Sequence, residues 1–270
     1  MAKALTVEQR YCFDTFGYVV LKNVLSSEFV QRLNAAFDAN ADRFLERTGA
    51  LKNGATPAYQ GGGRLDLGNL FAWEKPHCDP FRELLAHPGL IPTLQEFCGK
   101  GYRLDHLPVA FRQPPGGEGF DLHGGTFDRS SGQYLHDLAY DCRAGQMNCN
   151  LLAMSVQLTD TNAGDGGYVC IPGSHKANFP VPEKIETLQE HYAEYLHQPV
   201  MKAGDVLFFT EACAHGSVPL KAASERRVAL YRFAPPTCMY GRGVYDIPKE
   251  VRDDMTEAQR AVIEKPYHNR

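Results

Sequence analysis

The stretch AGDVLFFTEACAHGSVPLKAASERRVALYRF, residues Ala203 to Phe233, decides the predicted fold. It contains two short apolar runs, DVLFFTEA and RRVALYRF, separated by a segment with glycine and proline. Runs of this length, rich in Val, Leu and Phe and bounded by turn residues, are typical of β-strands. Similar runs begin at Leu107 and alternate with glycine-rich turns: LPVAFRQ, LLAMSVQLTD and GGYVCIPGSH. Many short strands with glycine turns predict a β-sandwich or barrel in the second half of the chain.

The first half of the chain instead shows apolar residues at helical spacing. Near the C-terminus, Thr256 and Gln259 are spaced as a capping box that begins a last helix. The other predicted segments are helices at 6–16, 26–49 and 182–196, two short helices within 79–99, a strand at 18–25 and a loop at 54–68. The sequence therefore predicts one mainly β domain with flanking helices. Its parts are a helical support at about 1–105, a β core at about 106–235 and an extension at about 236–270.

Composition narrows the classes of function. The chain has 270 residues and a formal net charge of −4, so charge gives no reason to expect a nucleic-acid polymer as partner. No stretch approaches the roughly 18 apolar residues of a membrane span, and the first residues lack the apolar run of a signal peptide. The eight cysteines include no CxxC pair, which is typical of reduced thiols. We expect a cytoplasmic protein whose partner is a small molecule.

Two histidines and two arginines of the β half are the candidates for chemistry. His123 stands in FDLHGG, His215 lies in the stretch quoted above, and Arg226 and Arg227 begin the strand RRVALYRF. A lone histidine at a strand end is more often structural than a ligand. Two histidines on separate strands of a small barrel can nevertheless converge in its mouth, where imidazole ligands suit Fe(II). An arginine on a neighbouring strand can bind an anionic co-substrate through two parallel hydrogen bonds.

Three segments together resemble the phytanoyl-CoA dioxygenase-like enzymes: FDTFGYVVLKNVLSSEFVQRL, LTDTNAGDGGYVCIPGSHK and the stretch quoted first. The resemblance implies a double-stranded β-helix, a cupin-like jelly roll, and a chemistry that uses Fe(II), 2-oxoglutarate and O2. By this resemblance His123 and His215 are metal ligands, and Arg226 binds the remote carboxylate of 2-oxoglutarate. Arg227 is the alternative, because neighbours on a strand face opposite ways. Gln113 matches a further co-substrate contact.

The carboxylate ligand of that family is missing from its usual place. The family's first histidine belongs to an H-x-D or H-x-E motif, since residues i and i+2 of a strand project to one face. Here the motif runs from His123 to Gly125 and reads HGG, and glycine offers no side-chain ligand. A literal H-x-D, ending at Asp79, directly precedes a predicted helix and lies outside the β half.

Besides that motif, three interpretations of the missing carboxylate compete. In the first, a hydroxylase takes its carboxylate from Asp121, Asp128 or Glu211, although Glu211 would lie roughly 13 Å from His215 along an extended strand. In the second, the chain is a non-catalytic small-molecule-binding protein on the same fold. In the third, which we favour from the sequence, chloride occupies the vacancy at Gly125, and the H-x-G motif resembles the signature of the radical halogenases.

The halogenase interpretation carries further expectations. The enzyme would chlorinate an unactivated C–H bond of a small natural-product precursor by radical rebound, and a free nucleotide is one candidate substrate. Residues 126–148 are expected to form a lid over the site. Arg129 or Arg143 could hold the chloride. Four loop arginines could meet a substrate phosphate: Arg64, Arg112, Arg129 and Arg143.

Overall fold

The computed structural model describes residues 5–46, 63–187, 194–240 and 243–268. The described helices are α1 (Val7–Phe16), α2 (Ser27–Ala39), α3 (Asp79–Glu83), α4 (Ile91–Cys98), α5 (Glu183–Glu186), α6 (Lys249–Asp253) and α7 (Glu257–Val262). The described strands are β1 (Tyr18–Leu21), β2 (Leu45–Glu46), β3 (Leu65–Leu67), β4 (Arg103–Gln113), β5 (Phe120–His123), β6 (Tyr140–Arg143), β7 (Gln146–Cys149), β8 (Leu152–Gln157), β9 (Gly167–Cys170), β10 (Val206–Thr210), β11 (His215–Val218) and β12 (Arg226–Ala234).

Two sheets pack face to face in the predicted double-stranded β-helix. The main sheet has seven strands in the order β1-β10-β8-β12-β4-β3-β2, and the smaller sheet has three in the order β5-β11-β9. Every pairing in both sheets is antiparallel. Strands β6 and β7 form a separate hairpin. The mainly β fold with flanking helices is therefore as predicted.

The central strands β8 and β10 of the main sheet are buried on both faces, because helices cover one face and the smaller sheet covers the other. On β10, Val206 and Phe208 belong to the large core shared with the helices, whereas Leu207 and Phe209 belong to the core between the sheets. This is the two-residue alternation of a strand. Since both faces are apolar, β10 appears in the sequence as a continuous hydrophobic run. The helices fill the large core with aromatic and leucine side chains: Phe13, Leu33, Phe37, Phe81 and Phe97.

The N-terminal helices begin where predicted and differ in length. The side chain of Thr6 caps α1, which ends at Gly17 in the left-handed conformation (φ 81°). Ser26 caps α2, and the helix ends at Ala39, well before the predicted end at residue 49. Residue 49 itself lies outside the described residues. The chain then enters the short strand β2. The apolar spacing continued past the true end of the helix, because Phe44 packs into the same core from an extended segment.

Three strands from the N-terminal part of the chain join the main sheet. Strand β1 pairs with β10 at one edge and is shorter than the predicted 18–25. Strand β3 pairs with β4 inside the predicted loop 54–68, of which residues 54–62 lie outside the described residues. Of the predicted helix 182–196, the described residues contain the short helix α5, and residues 188–193 lie outside the described residues. Within the described ranges, no helix is both long enough and apolar enough to cross a membrane.

Candidate metal and co-substrate site

Two histidines meet across strands β5 and β11. His123 is the last residue of β5, His215 is the first residue of β11, and the two are direct partners in the antiparallel register. Opposed residues in such a pair project from the same face of the sheet. Their imidazole ring centroids are accordingly 4.1 Å apart. The structure thus brings together the two histidines that the sequence singled out.

Glu211 reaches the same place from the turn between β10 and β11. The backbone turns back after Thr210, whose carbonyl accepts from the Cys213 N–H at 2.9 Å. A turn, and not an extended strand, therefore separates Glu211 from His215, and Glu211 Oε2 lies 3.6 Å from His215 Nε2. One ligand atom from each of His123, Glu211 and His215 lies within 4.8 Å of the other two. Ligand atoms bonded to one metal ion at about 2 Å lie at most about 4 Å apart, so the cluster is close to a ligand set.

Arg232 holds the other carboxylate oxygen of Glu211. Its Nε donates to Glu211 Oε1 at 2.6 Å, which leaves Oε2 facing His215. Burial raises the pKa of Glu211, but the charge of Arg232 outweighs it, with contributions from the protonated forms of His215 and His123 at low pH, and the pKa falls to about 2. Glu211 is thus an anion at neutral pH even though its side chain is 7% exposed.

Backbone carbonyl groups orient both imidazole rings. His215 Nδ1 lies 2.8 Å from Cys213 O, and His123 Nδ1 lies 3.4 Å from Asp121 O. A carbonyl oxygen can only accept, so Nδ1 carries the proton in each ring and Nε2 keeps its lone pair. Burial lowers the pKa of both histidines, and for His123 the neighbouring His215 adds to it. Neutral rings with Nδ1–H bonded to a carbonyl and Nε2 available are in the state that binds a metal.

The three residues line a cavity of about 510 Å³ between the two sheets. Its polar lining includes two groups, centred on Arg226 and Arg232, which are six residues apart on β12. An extended strand of that length spans about 20 Å. We name the groups by their members: the Arg226 end comprises Arg64, Gln113 and Arg226, and the His106 end comprises His106, Arg232 and Tyr240.

Arg226 is a buried cation without an acidic partner. It is 5% exposed, and within the described part of the chain its Nε has no hydrogen-bond partner and no carboxylate pairs with it. Burial lowers the pKa of Arg226 to about 9, with a further contribution from Arg64, so the guanidinium is still charged at neutral pH. A buried charge is costly unless it is paired. The cavity therefore has a place for an anion at this end.

Of the two adjacent arginines, only Arg226 lines the cavity. Arg227 points away and binds Glu225 at 2.6 Å and Asp38 at 2.8 Å. Gln113 is the cross-strand partner of Arg226 on β4 and is buried at the same end of the cavity. Neighbouring residues of a strand face opposite ways, which separates Arg226 from Arg227. Cross-strand pairing places Gln113 on the same face as Arg226.

The family described as "Phytanoyl-CoA dioxygenase (PhyH)" matches residues 13–228, a range that contains His123, Glu211, His215 and Arg226. The chain belongs to this family. One curated relative in Stutzerimonas stutzeri, named "Probable alpha-ketoglutarate-dependent hypophosphite dioxygenase", is 25% identical over 178 residues. That match spans 60% of this chain and 56% of the relative, so the chain matches just over half of the relative's length.

Solved structures of two Streptomyces proteins share the fold of this PhyH family member. HygX from Streptomyces hygroscopicus, with nickel and 2-oxoglutarate bound, superimposes with a TM-score of 0.69 at 22% identity, covering 92% of this chain and 94% of HygX. The same protein with iron bound gives a TM-score of 0.66 at 23% identity, with 93% and 94% covered. AviO1 from Streptomyces viridochromogenes Tue57 gives 0.62 at 16% identity, with 89% and 100% covered. Likeness at these identities establishes the fold alone.

Gly125 does not stand where the halogenase interpretation requires it. Its backbone is left-handed (φ 95°), and a Cβ built there would come within 4 Å of a single atom, Val181 Cγ2. The residues that line the cavity include Gly124 but not Gly125. Gly125 N–H donates to Glu211 O at 3.3 Å, so glycine is explained by a bend that docks on the turn carrying Glu211. The assumption that the site lacks a carboxylate is wrong, and with it the chloride site loses its support.

Asp121 fails as a ligand because β5 is irregular. His123 pairs with His215, but Phe120 pairs with Ser217, so β5 carries one extra residue between these two pairs. Such a β-bulge changes the face to which residues point. Phe120 and His123 line the cavity, whereas Asp121 is buried elsewhere. A regular strand would have placed Asp121 beside His123, which is why the sequence suggested it.

The other proposed carboxylates also lie outside the cluster. Asp128 is at the surface, where it accepts from the hydroxyls of Ser130 and Ser131; these bonds lower its pKa to about 2. Asp79 is the first residue of α3 and belongs to no metal-ligand cluster found in the described residues.

Among the four loop arginines, Arg64 lines the cavity and the other three do not. Those three lie near acidic residues outside it: Arg112 near Glu225, Arg129 near Glu186 and Arg143 near Asp141. The roles predicted for Arg129 and Arg143 in holding chloride therefore have no geometric basis. Of the predicted lid, residues 126–148, Leu138 contributes to the cavity wall.

Sequence reasoning missed the His106 end. Asp105 is buried and holds His106 Nδ1 at 2.8 Å and the Tyr240 N–H at 3.1 Å. Arg232 is the cross-strand partner of His106. Counting in steps of two from Arg226 along β12 leads to Arg232, so strand periodicity could have identified that residue. The sequence carried no comparable signal for Tyr240, which comes from the C-terminal extension.

Proposed function

We propose that the protein is an Fe(II)- and 2-oxoglutarate-dependent dioxygenase that hydroxylates a C–H bond of a small molecule. The proposal depends on one observation: His123, Glu211 and His215 converge in a cavity that also contains Arg226, which has no acidic partner among the described residues. Membership of the PhyH family supports the reaction class. HygX was solved with hygromycin B bound, which supports a small-molecule substrate.

The donor atoms fit Fe(II). Two imidazoles and one carboxylate are the ligands of iron sites that keep open positions for substrates. His123 and His215 would bind through Nε2, because each Nδ1 is committed to a backbone carbonyl. Glu211 would bind through Oε2, because Arg232 occupies Oε1.

Arg226 fits the remote carboxylate of 2-oxoglutarate. A guanidinium offers two parallel N–H groups that match a carboxylate, and pairing would compensate a buried charge that the described residues leave uncompensated. Arg226 lies directly against the backbone of β9, where a Cβ built on Gly167 would come 2.9 Å from its Cδ. That contact holds the arginine in one position at the end of the cavity.

The protein's own residues supply orientation and a dry surrounding. When bound, iron and 2-oxoglutarate together would supply the reduction of O2, giving succinate, CO2 and one oxygen atom for the substrate C–H bond. Arg232 keeps the Glu211 carboxylate in one orientation. Apolar side chains limit water around the ligands, and in such a site fixed charges interact more strongly. Three of them come from the main sheet, Val109, Phe209 and Leu230, and two from segments outside the sheets, Leu138 and Leu151.

The substrate is assigned to the His106 end, since the Arg226 end is assigned to 2-oxoglutarate. This end is the more accessible of the two, because the side chain of His106 is 37% exposed and Tyr240 is 42% exposed. The bond from His106 Nδ1 to Asp105 fixes the ring and leaves Nε2 for a polar group of the substrate.

Anaerobic reconstitution tests the proposal. Fe(II) followed by 2-oxoglutarate should produce the iron-to-2-oxoglutarate charge-transfer absorption band, and admission of O2 should then yield succinate. Both results should be the same with and without chloride. A band that needs chloride and survives Glu211→Gly would support the halogenase instead. If 2-oxoglutarate neither produces a band nor is consumed, the non-catalytic binding protein becomes the better interpretation.

A further inference from the structure

Arg64 and Arg226 lie in one row across three adjacent strands of the main sheet. Leu65, the first residue of β3, pairs with Arg112 on β4, so Arg64 stands at the level of Gln113 in the antiparallel register. Gln113 in turn pairs with Arg226 on β12. All members of this row line the same end of the cavity.

The two guanidinium groups share an aromatic neighbour. The Cζ atoms of Arg64 and Arg226 lie 4.1 Å and 5.2 Å from the centre of the Phe111 ring. Arg64 is 6% exposed and Arg226 is 5% exposed. Two buried cations so close together repel each other unless an anion compensates them.

One of the two cations is already balanced within the protein. Asp66 accepts from Arg64 Nε at 2.6 Å and from Nη2 at 3.2 Å, a two-pronged pair that fixes the plane of the guanidinium. Glu118 is the acidic side chain that also lines this end, but it is exposed to solvent. The end therefore has room for one more negative charge close to both arginines.

We infer that Arg64 determines co-substrate specificity: together with Arg226 it binds the second carboxylate of a dicarboxylic 2-oxo acid. The inference rests on the proposed function, because it assumes that 2-oxoglutarate occupies the Arg226 end. A monocarboxylic 2-oxo acid of similar shape would bring an uncharged end to this place and leave the Arg226 charge uncompensated. Arg64 would then strengthen the preference for a dicarboxylate that Arg226 alone provides.

Isothermal titration of the Ni(II)-loaded protein tests the inference without requiring turnover. The probes are 2-oxoglutarate and 2-oxobutyrate, which lacks the second carboxylate. Arg64→Met should weaken 2-oxoglutarate binding about tenfold, the value of one hydrogen bond to a charged group, while 2-oxobutyrate binding stays the same or improves. Arg64→Lys, which keeps the charge, should lie between the wild type and Arg64→Met.

The matched control is Arg112→Met, because Arg112 is a neighbouring arginine that pairs with Glu225 outside the cavity. It should leave the affinities for both acids unchanged. If Arg64→Met keeps the wild-type ratio of the two affinities, Arg64 serves only as a structural partner of Asp66. If Arg64→Met does not fold, a wild-type ratio in Arg64→Lys leads to the same conclusion. Failure of the proposed function looks different, since the Ni(II)-loaded wild type would then bind neither acid.

Discussion

Glu211 determines the charge of the metal site. Glu211 carries the charge of the cluster, because the two histidines beside it are neutral. Arg232 binds the carboxylate oxygen that does not face His215. The ion pair on Oε1 therefore leaves Oε2 in position for the proposed metal. A residue fixed on both sides loses little conformational entropy when a metal binds.

Replacement of Glu211 by glutamine should weaken metal binding by at least tenfold, because the neutral amide removes the anionic ligand and leaves Arg232 unpaired. Titration of the apoprotein with Fe(II) or Ni(II) under anaerobic conditions measures the affinity. Asp121→Asn and Asp128→Asn are the controls, since both carboxylates lie outside the cluster. Loss of affinity in Asp121→Asn with retention in Glu211→Gln would show that Asp121 is the ligand.

Gly167→Ala should weaken 2-oxoglutarate binding by about tenfold, through Arg226. An alanine Cβ at position 167 would lie 2.9 Å from Arg226 Cδ, so the arginine must move. Gly164→Ala is a matched control, because its φ of +82° is nearly the same as the +80° of Gly167 but nothing lies within 4 Å of its Cβ. Both variants carry the strain of a left-handed alanine, about 1–2 kcal/mol.

Titration of 2-oxoglutarate into the two Ni(II)-loaded alanine variants separates strain from contact. Unfolding by urea should show a similar loss of stability in both, whereas only Gly167→Ala should bind 2-oxoglutarate more weakly. Equal affinities in the two variants would mean that the close contact with Arg226 has no part in binding.

At the level of helices and strands, local signals in the sequence predicted most of the architecture. Thr256 and Gln259 form the expected capping box at the start of α7, and α1 and α2 begin within one residue of their predicted starts. These predictions succeed because a cap depends on neighbours within three residues. The end of α2 was wrong because Phe44 contributes to the core without being helical, and apolar spacing alone does not reveal that change.

The candidate site was predictable only in part, for a similar reason. Residue type and position on strands made His123, His215 and Arg226 candidates, and the family resemblance supplied their expected roles. Glu211 was discounted because the segment before His215 was taken as extended. The segment instead forms a turn, closed by the bond from Cys213 N–H to Thr210 O and anchored by the bond from Glu211 N–H to the distant Leu151 O. The bulge that turns Asp121 away from the site likewise depends on the pairing of β5 with β11, and pairing between strands far apart in the chain leaves no local signature.

The turn after β9 docks on α1 through a histidine that should make stability depend on pH. His175 is 2% exposed, and its Nε2–H donates to Asp14 O at 3.0 Å. Burial lowers the pKa of His175 to about 4, and the charge of Lys176 also contributes, although Asp14 opposes it. In the unfolded chain the histidine takes up a proton near its ordinary pKa of about 6.5. Stability is therefore retained above about pH 6.5 and lost as pH falls toward 4.

For His175 this difference amounts to about 2 kcal/mol between pH 7 and pH 5. His175→Gln, which can still donate to the carbonyl, should reduce the pH dependence of the unfolding free energy by about that amount. The buried His123 and His215 contribute with the same sign in both proteins, so only the difference between the proteins is informative. Identical slopes from urea unfolding at the two pH values would contradict the assignment.

At the scale of the whole molecule, the cavity between the sheets is a cost in stability that ligands can recover. The two sheets meet in an apolar core over part of their facing surfaces. Over the rest they enclose a cavity of about 510 Å³, with the buried charge of Arg226 at one end. A ligand that binds only the folded state stabilises it by about 2.7 kcal/mol at one hundred times its Kd. The proposed function therefore links folding to co-substrate binding through Arg226.

Arg226→Met should make the metal-free protein more stable and abolish its response to 2-oxoglutarate. Methionine fills a similar volume without a charge, and replacing buried charges by apolar groups often stabilises a protein by about 1–4 kcal/mol. In urea unfolding the variant should have the higher free energy of unfolding, whereas 2-oxoglutarate with Ni(II) should raise the Tm of the wild type and not that of Arg226→Met.

Arg227→Met is the control for this prediction. Arg227 pairs with Glu225 and Asp38 outside the cavity, so Arg227→Met should keep the ligand-induced rise in Tm. An Arg226→Met protein that is less stable than the wild type would mean that the guanidinium is compensated in the free protein, and the cavity would then not require an anion.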